Sequence, residues 1–165
     1  MIITKADKSD ISSILKIVED ARTYLGSKGI DQWQGPYPNE ESFLEDIKND
    51  RLYVVKDKDK VIAVFAVVDY ERTYDVIYEG QWMDDSPYIA IHRIAVDKDH
   101  KGKGVAGFIY DEMKKEHRHI RIDTHPDNLS MRRSLEKNGF KYCGIIYLEH
   151  EQSFPLRVAY EYIDI

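Results

Sequence analysis

The segment that most constrains the fold is a nearly all-apolar strand, Tyr88–Val96, that leads into a basic, glycine-containing turn and then a helix. The turn reads Lys101-Gly102-Lys103-Gly104-Val105-Ala106. Apolar residues then recur at helical spacing, which predicts a helix from about Val105 to Glu116. The first amides of such a helix are unpaired and carry about half a positive charge, which suits a pyrophosphate. Glycines let the backbone come close to such a ligand.

Two common phosphate motifs do not fit this turn. The dinucleotide fingerprint needs a third glycine and a strand that opens a βαβ unit, whereas Tyr88–Val96 comes late in the chain. A Walker loop needs a Lys-Ser or Lys-Thr pair at its end, and none is present. On its own, the turn is better explained as an ordinary strand-to-helix turn at the surface.

The rest of the chain alternates short strands with helices, without repeats or a linker. The predicted strands are Ile2–Lys5, Leu52–Val55, Val61–Val68, Tyr88–Val96, Ile120–Thr124, Tyr142–Leu148 and Arg157–Tyr162. The predicted helices are one through Ile11–Ala21 that Gly26 and Gly29 end, a second through Phe43 up to Asn49, Val105–Glu116 and Leu129–Asn138. This order predicts an α+β fold, a mixed sheet with helices on both faces. Between Asp69 and Pro87 the polar and aromatic sequence predicts a continuation of the strand followed by a loop.

Length and composition set the class of protein. The 165 residues suit one domain, 1–165, and 42% apolar with 33% charged residues supports a real core. The longest apolar run, Val61–Val68, is far short of the roughly 20 residues that a membrane span needs. A charged N-terminus and the single Cys143 predict a reducing cytoplasm, and a net charge of −6 argues against nucleic acid and favours cationic partners.

The combination of strand, turn and helix resembles the GNAT superfamily of acyl-CoA-dependent N-acyltransferases. The signature of that family, Gln/Arg-x-x-Gly-x-Gly/Ala, reads Lys101-x-x-Gly104-x-Ala106 here. A second element, Asn128 eleven residues before Gly139-Phe140, is similar to the family's Asn…Gly-Phe helix. The resemblance implies a mostly antiparallel sheet of six to seven strands. Lys101 replaces the usual Gln or Arg, which should be tolerated where backbone amides make the phosphate contacts.

The resemblance also implies acetyl-CoA as the cofactor and an N-acetyltransferase that acts by direct attack in a ternary complex. The pyrophosphate would lie on the amides of Gly102, Lys103, Gly104, Val105 and Ala106, and Lys101 would also belong to the cofactor site. The pantetheine would pair with the backbone of Ile94, Ala95 and Val96, and Asn128 would help to bind the cofactor. The expected acceptor is a primary amine of a small molecule or a peptide, without nucleic acid or membrane, and a homodimer is compatible with the family.

An ammonium acceptor must lose a proton before it attacks a thioester, so a base is required. His92 is the first candidate, because some family members place a base at this point of the strand; a histidine bonded inside the sheet is an equal alternative. His125 is the second, although a role in stabilising its turn is favoured, and Glu79 is the third. Many members have a tyrosine acid where this chain has Leu135, so the usual general acid is missing.

Three further patterns have a structural explanation as well as a functional one. His117-x-His119 invites a metal site with His125, but its surroundings predict solvated histidines at an exposed helix end, and no metal site is expected. Trp33, Tyr74 and Trp82 lie where family members build the acceptor pocket, and core packing explains them equally well. Asp84 and Asp85 would favour a cationic acceptor if they face the cleft.

Two other classes of protein remain open at this point. The missing tyrosine allows a non-catalytic CoA-binding or sensing module. The glycine turn also allows a nucleotide-binding protein of unrelated mechanism, which competition between ATP and CoA would reveal. Turnover of acetyl-CoA with candidate amines separates the enzyme from the module.

Overall fold

The computed structural model describes residues 1–151 and 153–165. Within these residues the strands are β1 (Ile2–Lys5), β2 (Leu52–Asp57), β3 (Lys60–Val68), β4 (Ile89–Val96), β5 (His119–Thr124), β6 (Lys141–Tyr147) and β7 (Leu156–Ile163). The helices are α1 (Ile11–Ser27), α2 (Glu40–Lys48), α3 (Val105–Glu116) and α4 (Leu129–Lys137). Short 3₁₀ turns lie at Lys8–Asp10, Arg72–Tyr74 and Lys98–His100.

The strands are ordered β1-β2-β3-β4-β5-β7-β6 in a seven-stranded sheet. The pairs β1/β2, β2/β3, β5/β7 and β6/β7 are antiparallel. The pair β4/β5 is parallel, with Ile89 opposite Ile120 and Ala90 opposite Arg121. This mixed, mostly antiparallel sheet confirms the predicted α+β fold class.

Local sequence signals explain where several elements begin. The side chain of Asn39 accepts a hydrogen bond from Ser42 N at 2.9 Å and caps α2, and Asn128 caps α4 through Met131 N at 3.2 Å. Between β2 and β3, Lys58 and Asp59 both have left-handed backbones (φ 49° and 68°), as a two-residue hairpin turn with right-handed strand twist requires.

The contacts divide the chain into two compact units. The first consists of Met1–Val67 and His92–Ile109, and the second of Val68–Ile91 and Tyr110–Ile165. In the first, α1 and α2 cover strand residues; its buried apolar residues include Ile14, Val18, Phe43, Leu52, Val54 and Val64. In the second, an aromatic and aliphatic cluster forms around Tyr74, Ala90, Ile146 and Ala159. Among the described residues, no helix combines the length and the apolar character that crossing a bilayer requires.

Candidate functional site

The glycine turn in the first unit has the open geometry of an anion cradle. Gly102 and Gly104 adopt φ angles of 74° and 80°, a left-handed conformation that glycine reaches at little cost. A Cβ atom built at either glycine would meet no other atom within 4 Å. These glycines are therefore required by the path of the backbone and not by crowding, and the space above them is free for a ligand.

The helix that follows begins within this turn. The amide of Phe108 donates to the carbonyl of Gly104 at 3.0 Å, so the amides of the residues between them precede the first helical hydrogen bond. The first turn of α3 contains no acidic residue that would offset the positive end of the helix dipole. The start of α3 therefore carries the positive end of the helix dipole without a nearby acidic residue, and its observed bounds, Val105–Glu116, are the predicted ones.

Strand β4, which carries Ile94, Ala95 and Val96, contains a left-handed residue. Arg93 has φ 53°, unusual for a side-chain-bearing residue in a strand. Its guanidinium binds both carboxylate oxygens of Asp46 at 2.7 and 2.8 Å, and it also donates to Tyr37 Oη. Because Asp46 is only 2% exposed, this two-point ion pair is buried, and it holds the strained residue in place.

His92 precedes Arg93 in β4 and is half-buried. It is therefore neither a fully solvated nor a fully buried imidazole, and it lies in the same compact unit as the glycine turn and Ile94–Val96. The proposal that His92 is the base stays a prediction.

His125 and Asn128 lie together in the loop between β5 and α4, in the second unit. The Asn128 amide donates to the His125 carbonyl at 3.0 Å, and the Asp127 amide donates to His125 Nδ1, also at 3.0 Å. A neutral imidazole that accepts at Nδ1 carries its proton on Nε2 and has no further lone pair for a base. The ring is 2% exposed and stacks on Phe154 at 4.6 Å. This geometry favours the turn-stabilising alternative for His125, and the side chain of Asn128 serves as the α4 cap.

Lys101 points to helix α1. Its ammonium lies 3.8 Å from the centroid of the Tyr24 ring. Desolvation lowers the pKa of Lys101 from its usual value, and the charge of Asp20 opposes that shift. The contact between Lys101 and Tyr24 could not be predicted, because the two residues are far apart along the chain.

An arginine that the sequence analysis did not single out shapes the segment between α1 and α2. The guanidinium of Arg22 donates to the carbonyls of Trp33, Gly35 and Pro38, the last two at 2.8 and 2.6 Å. Trp33 itself has φ 63° and packs against the core of the first unit. One side chain on α1 therefore fixes the path of a segment that has no regular structure.

The second unit contains a buried ionic cluster on β5 and β7. Glu161 is 0% exposed and accepts hydrogen bonds from His119 Nε2, Arg121 Nε (3.2 Å) and Met83 N (2.7 Å). The prediction that His119 is solvated at a helix end is wrong: the residue is 3% exposed and opens β5. No group of potential metal ligands was found among the described residues.

The cluster holds the long segment that leads to β4. Arg121 Nη2 donates to the Asp84 carbonyl at 2.7 Å, and the guanidinium lies between the rings of Trp82 (4.1 Å) and Tyr88 (4.2 Å). Trp82 Nε1 donates to the Tyr74 carbonyl at 2.8 Å, and Tyr74 is 1% exposed. Of the two explanations for Tyr74 and Trp82, the structure supports core packing. Glu79 is exposed with φ 54°.

The position of the usual tyrosine acid is filled by an apolar core residue, since Leu135 is 0% exposed. The nearest tyrosines in sequence, Tyr142 and Tyr147, are each 47% exposed. Tyr147 meets Tyr78 edge to face at 5.3 Å, and Tyr142 meets Tyr160 at 5.8 Å. Each of them therefore has a packing role that explains its presence.

The sequence and the fold are similar to those of known acetyltransferases. A family model described as the acetyltransferase (GNAT) family matches residues 15–140. A GNAT-family acetyltransferase from Streptococcus agalactiae is 34% identical, with a TM-score of 0.91, over 99% of this chain and 95% of its own. An N-acetyltransferase from Staphylococcus aureus shares the fold at 19% identity and a TM-score of 0.63, over 98% of this chain and 97% of its own. A ribosomal-protein-alanine N-acetyltransferase from Brucella melitensis also shares the fold, at 14% identity and a TM-score of 0.66, over 99% of this chain and 100% of its own.

No curated protein matches the sequence significantly. The family model nevertheless spans most of the chain, including β4, the glycine turn, α3 and α4 up to Phe140. The Streptococcus agalactiae protein is similar to this chain over nearly the whole length of both. The open glycine turn, the unpaired start of α3 and these two likenesses lead to one conclusion, that the chain belongs to the GNAT family of acetyltransferases.

Proposed function

We propose that the protein transfers an acetyl group from acetyl-CoA to a primary amine of a small molecule or peptide, by direct attack in a ternary complex. The observation that carries this proposal is the turn at Gly102 and Gly104, left-handed and open, at the unpaired start of α3. Open space at both Cβ positions leaves room for a ligand beside the backbone amides. The residues present therefore fit the cofactor that the family uses.

The chain offers two backbone surfaces to acetyl-CoA. The amides of Gly102–Ala106 would hold the pyrophosphate, as helix N-termini hold anions. The backbone of Ile94–Val96 would pair with the pantetheine, much as a strand pairs with a sheet edge. When bound, acetyl-CoA supplies a thioester that a neutral amine can attack.

His92 is the base in this proposal, directly or through a water. A neutral imidazole can take a proton from an ammonium. Its neighbour Arg93 is fixed by Asp46, which gives the imidazole a rigid support. Holding the amine at about 3–3.5 Å from the carbonyl carbon would supply much of the acceleration.

Leu135 favours a second candidate function, a CoA-binding or sensing module without catalysis. Its full burial leaves no phenol at the position where many family members have one. Catalysis does not require that phenol, because a thiol with a pKa of about 8.5 leaves readily as its thiolate. We therefore keep the enzyme as the first proposal.

Thermal unfolding with and without acetyl-CoA tests the cofactor site. At a hundredfold excess over the dissociation constant, binding should stabilise the protein by about 2.7 kcal/mol. For this size of chain, that raises the melting temperature by about 5–10 °C. Gly104→Asp places bulk and negative charge in the cradle and should abolish the rise.

Gly29→Asp is the matched control for this variant. Gly29 is also left-handed, at φ 70°, and also has open space around its Cβ position, but it follows α1. Gly29→Asp should keep the full rise in melting temperature on addition of acetyl-CoA. An equal rise in Gly29→Asp and Gly104→Asp would show that the turn is not part of the cofactor site. If acetyl-CoA raises the melting temperature of the native protein but no tested amine causes release of free CoA, the protein is the sensing module. If ATP displaces CoA, it is the nucleotide-binding alternative.

A further inference from the structure

The glycine turn is fixed at its ends and open in its middle. At its start, the amide of Asp97 donates to the carbonyl of Ile62 at 2.8 Å, and the Asp97 carboxylate binds His100 Nδ1 at 2.7 Å. No atom lies within 4 Å of the Cβ positions of Gly102 and Gly104. Left-handed glycines without side-chain packing are costly to order, so their placement depends on the residues that flank them.

The flanking residue is Lys101, and its partner is Tyr24 on α1. The ammonium lies 3.8 Å from the ring centroid, well within the distance of a favourable cation–π contact. Removal from water lowers the pKa of this lysine, as expected for an ammonium packed on a ring, while Asp20 counteracts the effect. The lysine therefore has a defined partner on α1, in addition to its place in the family signature.

We infer that Tyr24 is a positioning residue for the cofactor: it holds Lys101, and through Lys101 it holds the glycine turn in the shape that receives the pyrophosphate. This inference rests on the proposed function, because it assumes that CoA binds at the turn. Preorganising a loop before binding increases affinity by removing the entropy cost of ordering it. Tyr24 itself need not touch the ligand.

The dissociation constant of CoA, measured by titration calorimetry well below the unfolding transition, tests this role. Tyr24→Leu removes the ring and should weaken binding about fivefold, which corresponds to about 1 kcal/mol, the usual size of such a contact. Tyr24→Phe keeps the ring face and should bind CoA as the native protein does. At saturating acetyl-CoA, kcat of Tyr24→Leu should stay within twofold of native, because the turn is then ordered by the ligand.

The chain contains a matched control for charge. Lys28 also lies over the Tyr24 ring, at 5.8 Å, but it belongs to the end of α1. Lys28→Met and Lys101→Met remove the same charge from the same ring, and only Lys101→Met should weaken CoA binding. If Lys101 acts through Tyr24, adding Tyr24→Leu to Lys101→Met should cause no further loss.

Three results would overturn the inference. They are native affinity in Tyr24→Leu, equal losses in Tyr24→Leu and Tyr24→Phe, and a double variant whose loss is the product of the single losses. The last result would mean that Lys101 binds the phosphates independently of the ring. Failure of the native protein to bind CoA would instead refute the proposed function, so the two failures are distinguishable.

Discussion

The buried carboxylate of Glu161 offers the sharpest test of how the second unit is held together. It neutralises Arg121, whose side chain is 6% exposed, and it accepts from His119 and from the amide of Met83. Replacing it with glutamine keeps the shape and removes the charge. Breaking a buried pair from one side usually costs about 3–5 kcal/mol, because the remaining charge is uncompensated.

We expect the lower end of that range. The Arg121 guanidinium keeps its hydrogen bond to the Asp84 carbonyl and its place between two aromatic rings. A loss of about 3 kcal/mol in the free energy of unfolding corresponds to a fall of about 6–12 °C in Tm. Urea unfolding followed by circular dichroism would measure the loss directly.

Glu149→Gln is the control, since the Arg72–Glu149 pair has a similar separation, 3.4 Å, but its side chains are 78% and 60% exposed. An exposed pair contributes about 0–1 kcal/mol. Glu161→Leu combined with Arg121→Met removes both charges and should recover most of the stability lost in Glu161→Gln. The reasoning is refuted if Glu161→Gln costs less than about 1 kcal/mol, or if the double apolar variant is no more stable than Glu161→Gln.

Three further predictions concern single residues. His92→Ala should lower kcat/KM on the order of 10²-fold or more, measured by release of free CoA; a loss in His125→Ala alone would reverse our order of the two histidines. The rate of the native protein should show a plateau up to about pH 9.5, and neither Tyr142→Phe nor Tyr147→Phe should change this profile. A tenfold loss of rate in either variant at neutral pH would identify that tyrosine as the missing acid. Burial, and secondarily the charge of Glu161, raises the pKa of Cys143 to about 12, so its reaction with a disulfide reagent at pH 8 should be about 10³-fold slower in the native than in the unfolded protein. Since the unfolded thiol loses its proton first as pH rises, this group should leave stability unchanged below about pH 8 and lower it above about pH 9, which unfolding curves would show.

Features that depend on neighbouring residues could be read from the sequence. The glycine turn and the helix α3 followed from backbone requirements and a 3.6-residue period. The caps at Asn39 and Asn128 are equally local, because each side chain bonds to an amide three residues ahead. The hairpin turn at Lys58 and Asp59 is local in the same sense. The family signature lies within this local part of the chain, so the family could be predicted from it.

Contacts between residues that are far apart in sequence could be seen only in the tertiary structure. His119 was placed wrongly because its partner, Glu161, is 42 residues away and no local pattern connects them. The path of the segment between β3 and β4 has no period of its own; hydrogen bonds from Trp82 to Tyr74 and from Met83 to Glu161 determine it. The contact between Tyr24 and Lys101 has the same origin. Such contacts form only when packing brings distant residues together. The glycine turn could therefore be predicted from the sequence, whereas the contact of Tyr24 with Lys101 could be found only in the structure.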